Sequence, residues 1–171
     1  MTTIAWRFPF MVSDGRVTVG TRIWTDRCTK IEELPSGGLI GCSGAFDSRP
    51  IVELFARAKG PAAFPSPKEI SELRIDFRAI VAFPDGRAWL VESGPNSTND
   101  EGEKVDAWWS FLYPINDPHF AIGSGSPYAR AALDLGATAE RAVRLAMRHD
   151  SASGGKVQVF ELKPKKRGRR G

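Results

Sequence analysis

The chain has 171 residues, enough for one domain with a substantial core and too few for two ordinary domains. Its hydrophobic content of 42% is normal for a globular protein, and no apolar run approaches the ~18 residues that cross a bilayer. The N-terminus also lacks the basic and long apolar regions of a secretory signal, so the expected location is cytoplasmic and no membrane partner is expected.

The formal charge of +4 comes from the end of the chain. Residues 163–171 (KPKKRGRRG) hold three Lys and three Arg and no acid, which leaves 18 basic and 20 acidic residues in the remainder. We therefore expect one domain over 1–162 and a basic flexible tail over 163–171. We expect no nucleic-acid partner except through this tail, where no aromatic residue interleaves the charges.

Cysteine and histidine residues are too few and too far apart in sequence for a disulfide framework or a metal centre. Cys28 and Cys42 stand apart in sequence, and so do His119 and His149, so no cluster has metal-ligand spacing. The sequence predicts reduced thiols, no metal and no cofactor.

The first half of the chain predicts strands followed by helices. Two-residue alternation and turn residues predict strands at 3–6, 10–13, 17–24, 30–34 and 39–43. Ser48 is placed to cap a helix over about 50–58, and Pro67 to begin a second helix that ends at about residue 72.

The second half repeats this order. Pro84-Asp85-Gly86 joins strands 77–83 and 88–92, and a short strand at 120–122 precedes helices at 127–134 and 139–149 and a last strand at 157–162. The connection 93–118 is polar and then abruptly aromatic. We expect a packing or subunit-contact role, ahead of a ligand role, for its aromatic residues Trp108, Trp109, Phe111 and Tyr113. The order indicates an α+β protein, and two sheets between two helix layers would accommodate it among other arrangements.

Thr2 follows the initiator Met directly, and Met is readily removed before such a small residue. A threonine hydroxyl is a poor nucleophile, but a free α-amine on the same residue can serve as its base. Many proteins begin with Met-Thr, so this feature carries little weight by itself.

Two further segments could support such a nucleophile. A buried Lys30 would lower the pKa of a nearby hydroxyl and amine, and Asp14 would keep that lysine charged and oriented. Glycine-flanked serines occur in Ile122-Gly123-Ser124-Gly125-Ser126 and in Asp150-Ser151-Ala152-Ser153-Gly154-Gly155. Taken alone, these residues could equally be strand-end charges, helix caps and turns.

Together and in this order, the segments resemble the proteasome β-subunit and HslV-like family of N-terminal nucleophile hydrolases, in its simple bacterial or phage-type form. The resemblance runs from Thr2 to about residue 162 and is closest at AIGSGSPYA and RHDSASGGKVQV. It implies a four-layer αββα sandwich, with two packed antiparallel sheets between helix layers.

The resemblance also implies roles for individual residues. It gives Thr2 the role of the nucleophile, Lys30 that of the lysine that tunes it, and Gly41 that of the oxyanion-hole donor. The remaining implied catalytic residues are Asp14, Ser124, Asp150 and Ser153, with Arg16 helping to fix the acids. The implied substrate pocket is lined by Val17, Cys28, Glu32, Leu39 and Ser43, in which Glu32 would favour basic side chains.

The predicted function is therefore a threonine-type endopeptidase inside a self-compartmentalised ring, active once Met1 is removed. The resemblance implies stacked homomeric rings of six or seven subunits, polypeptide substrates and an AAA+ ATPase unfoldase as a partner. Two alternatives remain. One is a catalytically silent scaffold subunit that retains Met1, and the other is a small-amide hydrolase of the same architecture.

Overall fold

The computed structural model describes residues 2–45, 47–96 and 106–163. Met1, most of the predicted tail and part of the 93–118 connection lie outside the described residues. The strands are β1 (Thr3–Arg7), β2 (Phe10–Ser13), β3 (Val17–Val19), β4 (Arg22–Thr25), β5 (Ile31–Glu33), β6 (Leu39–Ser43), β7 (Phe77–Ala82), β8 (Ala88–Asn96), β9 (Ala107–Ile115), β10 (His119–Gly123) and β11 (Gln158–Glu161). The helices are α1 (Arg49–Phe55), α2 (Pro67–Glu72), α3 (Ser126–Asp134) and α4 (Ala139–His149), with a 3₁₀ turn at Pro61–Ala63.

The first sheet has four antiparallel strands in the order β10-β1-β2-β11. Thr3 is paired with Gly123 of β10, and Ile4 with Ser13 of β2. The start of β1 and the ends of β2 and β10 therefore lie side by side at one end of this sheet. This end of the sheet carries the residues that the sequence singled out.

The second sheet has five antiparallel strands in the order β5-β6-β7-β8-β9. Successive side chains of a strand point to opposite faces of its sheet, and both faces of each sheet are covered by another layer. In β1, Ile4 and Trp6 pack against the second sheet, whereas Ala5 packs against helices α3 and α4. Buried strands of this kind appear in sequence as nearly continuous apolar runs.

Three apolar clusters separate four layers. The outer face of the second sheet packs on α1 and α2 through Ile51, Phe55 and Ile70. The two sheets pack on each other, and the first sheet packs on α3 and α4. This arrangement confirms the predicted α+β sandwich with two antiparallel sheets between helix layers. None of the helices in the described part of the chain is long and apolar enough to cross a membrane.

Capping explains how some helices are bounded. Ser66 and Glu69 form a capping box at the start of α2, and Thr138 Oγ1 accepts from Arg141 N at the start of α4. Ser48 occupies the cap position of α1 but makes no side-chain capping bond there.

Two expected segments differ from the structure. The predicted strand 17–24 is a hairpin of β3 and β4, because Gly20 turns the chain with φ of +59°. The aromatic stretch of the 93–118 connection is β9, the edge strand of the second sheet. Along one face of β9, Trp109, Phe111 and Tyr113 lie with ring centroids 5.4 and 5.7 Å apart.

Candidate active site

The side chain of Asp14 is the centre of the site and is fully buried. Its Oδ1 atom accepts from Thr2 Oγ1, Thr3 N and Lys30 Nζ, each at 2.8 Å. Its Oδ2 atom accepts from Arg16 N at 3.1 Å and Gly154 N at 2.9 Å. Five donors to one carboxylate satisfy a group that would be very costly to bury alone.

Lys30 lies directly before β5 and reaches the same carboxylate. Its Nζ donates to Asp14 Oδ1 at 2.8 Å and to the carbonyl oxygen of Arg16 at 2.6 Å. Burial lowers the pKa of Lys30 below 10.5, although the charge and hydrogen bond of Asp14 act in the opposite direction. The ammonium is thus fixed close to Thr2 through a shared acceptor.

Asp150 organises a second group of hydroxyls next to Thr2. Its Oδ2 atom accepts from Ser124 Oγ and Ser153 Oγ, both at 2.6 Å. Since Ser153 gives its single proton to Asp150, Thr3 Oγ1 must be the donor in the 2.6 Å contact with Ser153 Oγ. Ser124 Oγ also lies 3.4 Å from the carbonyl oxygen of Thr2, but its proton is committed to Asp150.

The hydrogen bonds to Asp150 outweigh its burial. Burial acts to raise the pKa of its carboxyl group, whereas the hydroxyls of Ser124 and Ser153 and the backbone N–H of Ala152 lower it. The net effect is a pKa below the usual 3.8. The carboxylate therefore stays ionised and available as an acceptor beside Thr2 at neutral pH.

Gly123 allows this close approach. A Cβ atom on Gly123 would lie 2.0 Å from the carbonyl oxygen of Thr2, and its φ of +92° is in the region that favours glycine. The glycine before Ser124 is thus required by the contact of β10 with the start of β1.

Arg16 acts on the site through the backbone. Its guanidinium donates to Asp26 at 2.8 and 3.3 Å and to the carbonyl oxygen of Ser151 at 3.2 Å. It also covers Gly154, where a Cβ atom would lie 2.5 Å from Arg16 Cζ. Arg16 therefore holds the loop that carries Asp150 and Ser153. Among the hydrogen bonds of the described residues, its side chain makes none to Asp14 or Asp150.

A cavity of about 60 Å³ opens beside Thr2. Its lining residues come from the start of the chain, β3, the segment before β5, and the end of β6 with the loop that follows. The described lining residues are Thr2, Val17, Cys28, Thr29, Lys30, Cys42, Ser43, Gly44, Ala45 and Ser48.

The structure does not support Gly41 as the oxyanion donor. Gly41 is paired with Ile31 on one side and Ile80 on the other. Because Cys42 N donates to the carbonyl oxygen of Lys30, and successive strand amides point to opposite sides, the N–H of Gly41 points into the ladder with β7. A Cβ atom on Gly41 would meet Met11 Sδ at 2.8 Å, which places this glycine between the two sheets.

Gly44 is the glycine that borders the cavity. It follows Ser43, the last residue of β6 paired with β7, and its φ is +96°. By the same alternation its N–H points to the side of Cys42 N, away from β7 and toward the segment that carries Lys30.

The predicted substrate pocket requires a similar correction. Val17, Cys28 and Ser43 line the cavity. Leu39 instead packs in the core between the sheets, and Glu32 is exposed on β5 and is not a lining residue. Cys42, three residues after Leu39, borders the cavity in its place.

Four residues of the site were missed by the sequence reasoning, namely Thr3, Asp26, Cys42 and Gly44. Thr3 and Gly44 stand next to or near predicted residues, and the second glycine of IGCSG was a visible alternative to the first. Asp26 carries no local signal, because its importance comes from the contact with Arg16 across a hairpin.

The fold is that of the proteasome-like N-terminal nucleophile hydrolases, which confirms the resemblance at the level of the fold. No protein-family model matches the chain, and no curated protein matches it by sequence.

The solved structures that share this fold include the eukaryotic HslV from Trypanosoma brucei, with 19% identity, coverage of 94% of this chain and 98% of that chain, and a TM-score of 0.59. Another is the Thiobacillus denitrificans protein BPH, with 17% identity, 95% and 98% coverage and a TM-score of 0.57. BPH in complex with Epoxomicin gives 18% identity, 95% and 99% coverage and a TM-score of 0.55.

Proposed function

We propose that this protein is a threonine-type endopeptidase that uses Thr2 as its N-terminal nucleophile once Met1 has been removed. The observation that carries the proposal is the single buried carboxylate of Asp14, which binds Thr2 Oγ1 and Lys30 Nζ at 2.8 Å. A structural threonine needs neither a buried lysine at its acceptor nor a cavity at its side chain. Both are present at Thr2.

The proposed reaction has two steps. Thr2 Oγ attacks a peptide carbonyl, and its proton passes to the Thr2 amine and then to the leaving amine of the substrate as the peptide bond breaks. Water then attacks the resulting ester, with the Thr2 amine again taking the proton, and Thr2 is regenerated. Lys30 favours the negative charge that develops on Thr2 Oγ by its own positive charge.

Gly44 is the proposed oxyanion donor. Its N–H follows the last ladder pair of β6 and faces the side on which Lys30 lies, at the border of the cavity. One such donor is worth about 3–4 kcal/mol of transition-state stabilisation in comparable sites. Ser124, Asp150 and Ser153 are proposed to bind the Thr2 amine after Met1 removal.

The proposed enzyme works in the cytoplasm as stacked homomeric rings of six or seven subunits, served by an AAA+ unfoldase. Support for assembly comes from large apolar side chains that the single chain leaves exposed. Trp24 is 66% exposed on the β3–β4 hairpin, and Phe111 is 48% exposed on β9. Native mass spectrometry tests the assembly, and a monomer at micromolar concentration would contradict it.

Peptide hydrolysis by matched variants tests the proposed chemistry. The processed protein is expected to hydrolyse short fluorogenic peptides. Thr2→Ala is expected to lower kcat by at least about a hundredfold without a change of oligomeric state. Thr2→Ser keeps a hydroxyl and an amine and is expected to retain measurable activity. Equal activity of the processed protein and its Thr2→Ala variant would contradict the proposal.

A further inference from the structure

The cavity beside Thr2 is small. Its volume of about 60 Å³ is less than half of the ~150 Å³ cavity that accommodates a benzene ring in a protein core. Val17, Cys28, Cys42 and Ala45 form its apolar walls. Cys42 belongs to a fully formed strand and to the core cluster under α1, so the inner wall cannot yield without moving the second sheet.

The described residues that line the cavity include no partner for a charged side chain. Among the described lining residues Lys30 is the one ionised group, and its ammonium is held by Asp14 and the carbonyl oxygen of Arg16. Glu32, which the sequence suggested as a partner for basic side chains, is outside the lining. A substrate ammonium or guanidinium would therefore enter beside a fixed positive charge, which is unfavourable.

We infer that this cavity binds the side chain of the substrate residue whose carbonyl Thr2 attacks, and that it selects small uncharged side chains such as those of alanine and serine. The inference rests on the proposed function and gives its substrate class. Leucine, phenylalanine and arginine at this position exceed the space, and one surplus methylene in a tight pocket already costs about 10- to 200-fold in specificity.

The wall residue Val17 provides the most direct test. Val17 is half-buried on β3 and lines the cavity, whereas Val19 lies on the same strand, is 56% exposed and is not a lining residue. Val17→Ala removes two methyl groups from the wall, and Val19→Ala is the matched control for the same chemical change elsewhere on β3.

Fluorogenic peptides that differ only in the residue before the scissile bond give the readout. For the wild type we expect kcat/KM for alanine to exceed that for leucine and arginine by at least about tenfold. Val17→Ala is expected to raise the leucine-to-alanine ratio at least about threefold, and Val19→Ala to leave it unchanged. A wild type that prefers leucine, phenylalanine or arginine would overturn the inference, and so would equal ratios for all three proteins.

Chemical modification of Cys28 tests the same wall in protein that has already folded, so that a folding defect of a variant does not enter the result. Methyl methanethiosulfonate adds a thiomethyl group to the thiol, and we expect hydrolysis of the alanine peptide to fall at least about tenfold and to return with dithiothreitol. The Cys28→Ala variant is expected to be insensitive to the reagent. Undiminished hydrolysis by fully modified protein would count against the cavity as the side-chain site.

The failure of this inference is distinguishable from failure of the proposed function. Processed protein that hydrolyses none of the peptides and leaves a threonine-directed epoxyketone unreacted would overturn the proposed function and the inference together. Protein that reacts at Thr2 but prefers large or charged side chains would overturn the inference alone.

Discussion

Lys30 Nζ lies 2.8 Å from Asp14 Oδ1 in an ion pair whose side chains are 6% and 0% exposed. Breaking a buried pair from one side leaves the other charge without compensation, which costs about 3–5 kcal/mol. The same pair connects the folding of the domain to the chemistry proposed for Thr2, because Thr2 Oγ1 shares the Oδ1 atom.

We expect Lys30→Met to lower the free energy of unfolding by about 3–5 kcal/mol and peptide hydrolysis by at least about a hundredfold. Lys68→Met is the matched control, because Lys68 pairs with Glu72 at 3.8 Å on an exposed helix face. Its effect on stability should stay within about 0.5 kcal/mol. Urea unfolding of the three proteins measures the difference, and equal stabilities would contradict the assigned burial.

The glycine before Ser124 gives a second prediction. Gly123→Ala should abolish hydrolysis and destabilise the fold, because its Cβ would lie 2.0 Å from the carbonyl oxygen of Thr2. Gly136→Ala is the control with nearly the same backbone strain, since its φ is +87° and nothing lies within 4 Å of the added Cβ. That variant should lose only about 1–2 kcal/mol and keep its activity. Similar activities for both variants would show that the close approach at Gly123 is not needed.

Asp150 predicts how stability changes in acid. Its pKa is below 3.8 in the folded state, so the unfolded chain takes up the proton first as the pH falls. The stabilisation from Asp150 is therefore complete above about pH 4 and disappears as the pH passes down through the lowered pKa. We expect the unfolding free energies of the wild type and Asp150→Asn to converge below pH 4. Denaturant titrations between about pH 2 and about pH 6 measure the two free energies of unfolding. A difference between the two proteins that stayed constant over this range would contradict the assignment.

The two cysteines should differ in reactivity. Burial, aided by the charge of Glu32, raises the pKa of the Cys42 thiol to about 12, so only about one molecule in 10⁴ carries the thiolate at pH 8. Cys28 is less buried. A disulfide reagent is expected to modify one thiol in the native protein and both after unfolding. Rapid modification of native Cys28→Ser would contradict the burial of Cys42.

The pairing of Arg16 with Asp26 is expected to position the loop that carries Asp150 and Ser153. Asp26→Asn removes a bidentate partner that orients Arg16 over Gly154, and the loop with Asp150 and Ser153 should lose order. We expect kcat to fall several-fold with KM unchanged, because no substrate contact is removed. Asp85→Asn weakens another arginine pair, in which Arg87 Nε and Nη2 both donate to Asp85 Oδ2 on the β7–β8 turn, and serves as the control. Equal kcat values for the two variants would contradict the role of Asp26.

Local chemistry explains which parts of the fold could be predicted. Helix α2 was predicted at 67–72 because proline favours the first turn of a helix, and the hairpin at Pro84-Asp85-Gly86 because those residues define a turn. Strand β9 was not predicted, since Pro114 and a polar approach disrupt its pattern. Its pairing with β8 is set by tertiary contacts.

The error at Gly41 has a different physical origin. The stretch IGCSG contains two glycines three residues apart, and each fits a strand end in sequence. Which one leaves the ladder depends on where pairing with β7 stops, at Ser43 and Arg78, and this register is a non-local property. The exchange of Leu39 for Cys42 in the cavity has the same cause. The positions of Thr2, Asp14 and Lys30 do not depend on this register, because each lies next to a strand end that its own sequence defines.

The central claim is that Thr2 is the nucleophile, and adduct mapping tests it most directly. An epoxyketone peptide requires a hydroxyl and a free amine on one residue, so the protein should first be confirmed by intact mass to have lost Met1. We expect one equivalent of adduct, mapped by tandem mass spectrometry to Thr2, and no adduct on Thr2→Ala. Processed protein that stays unlabelled, or is labelled at another residue, would contradict it.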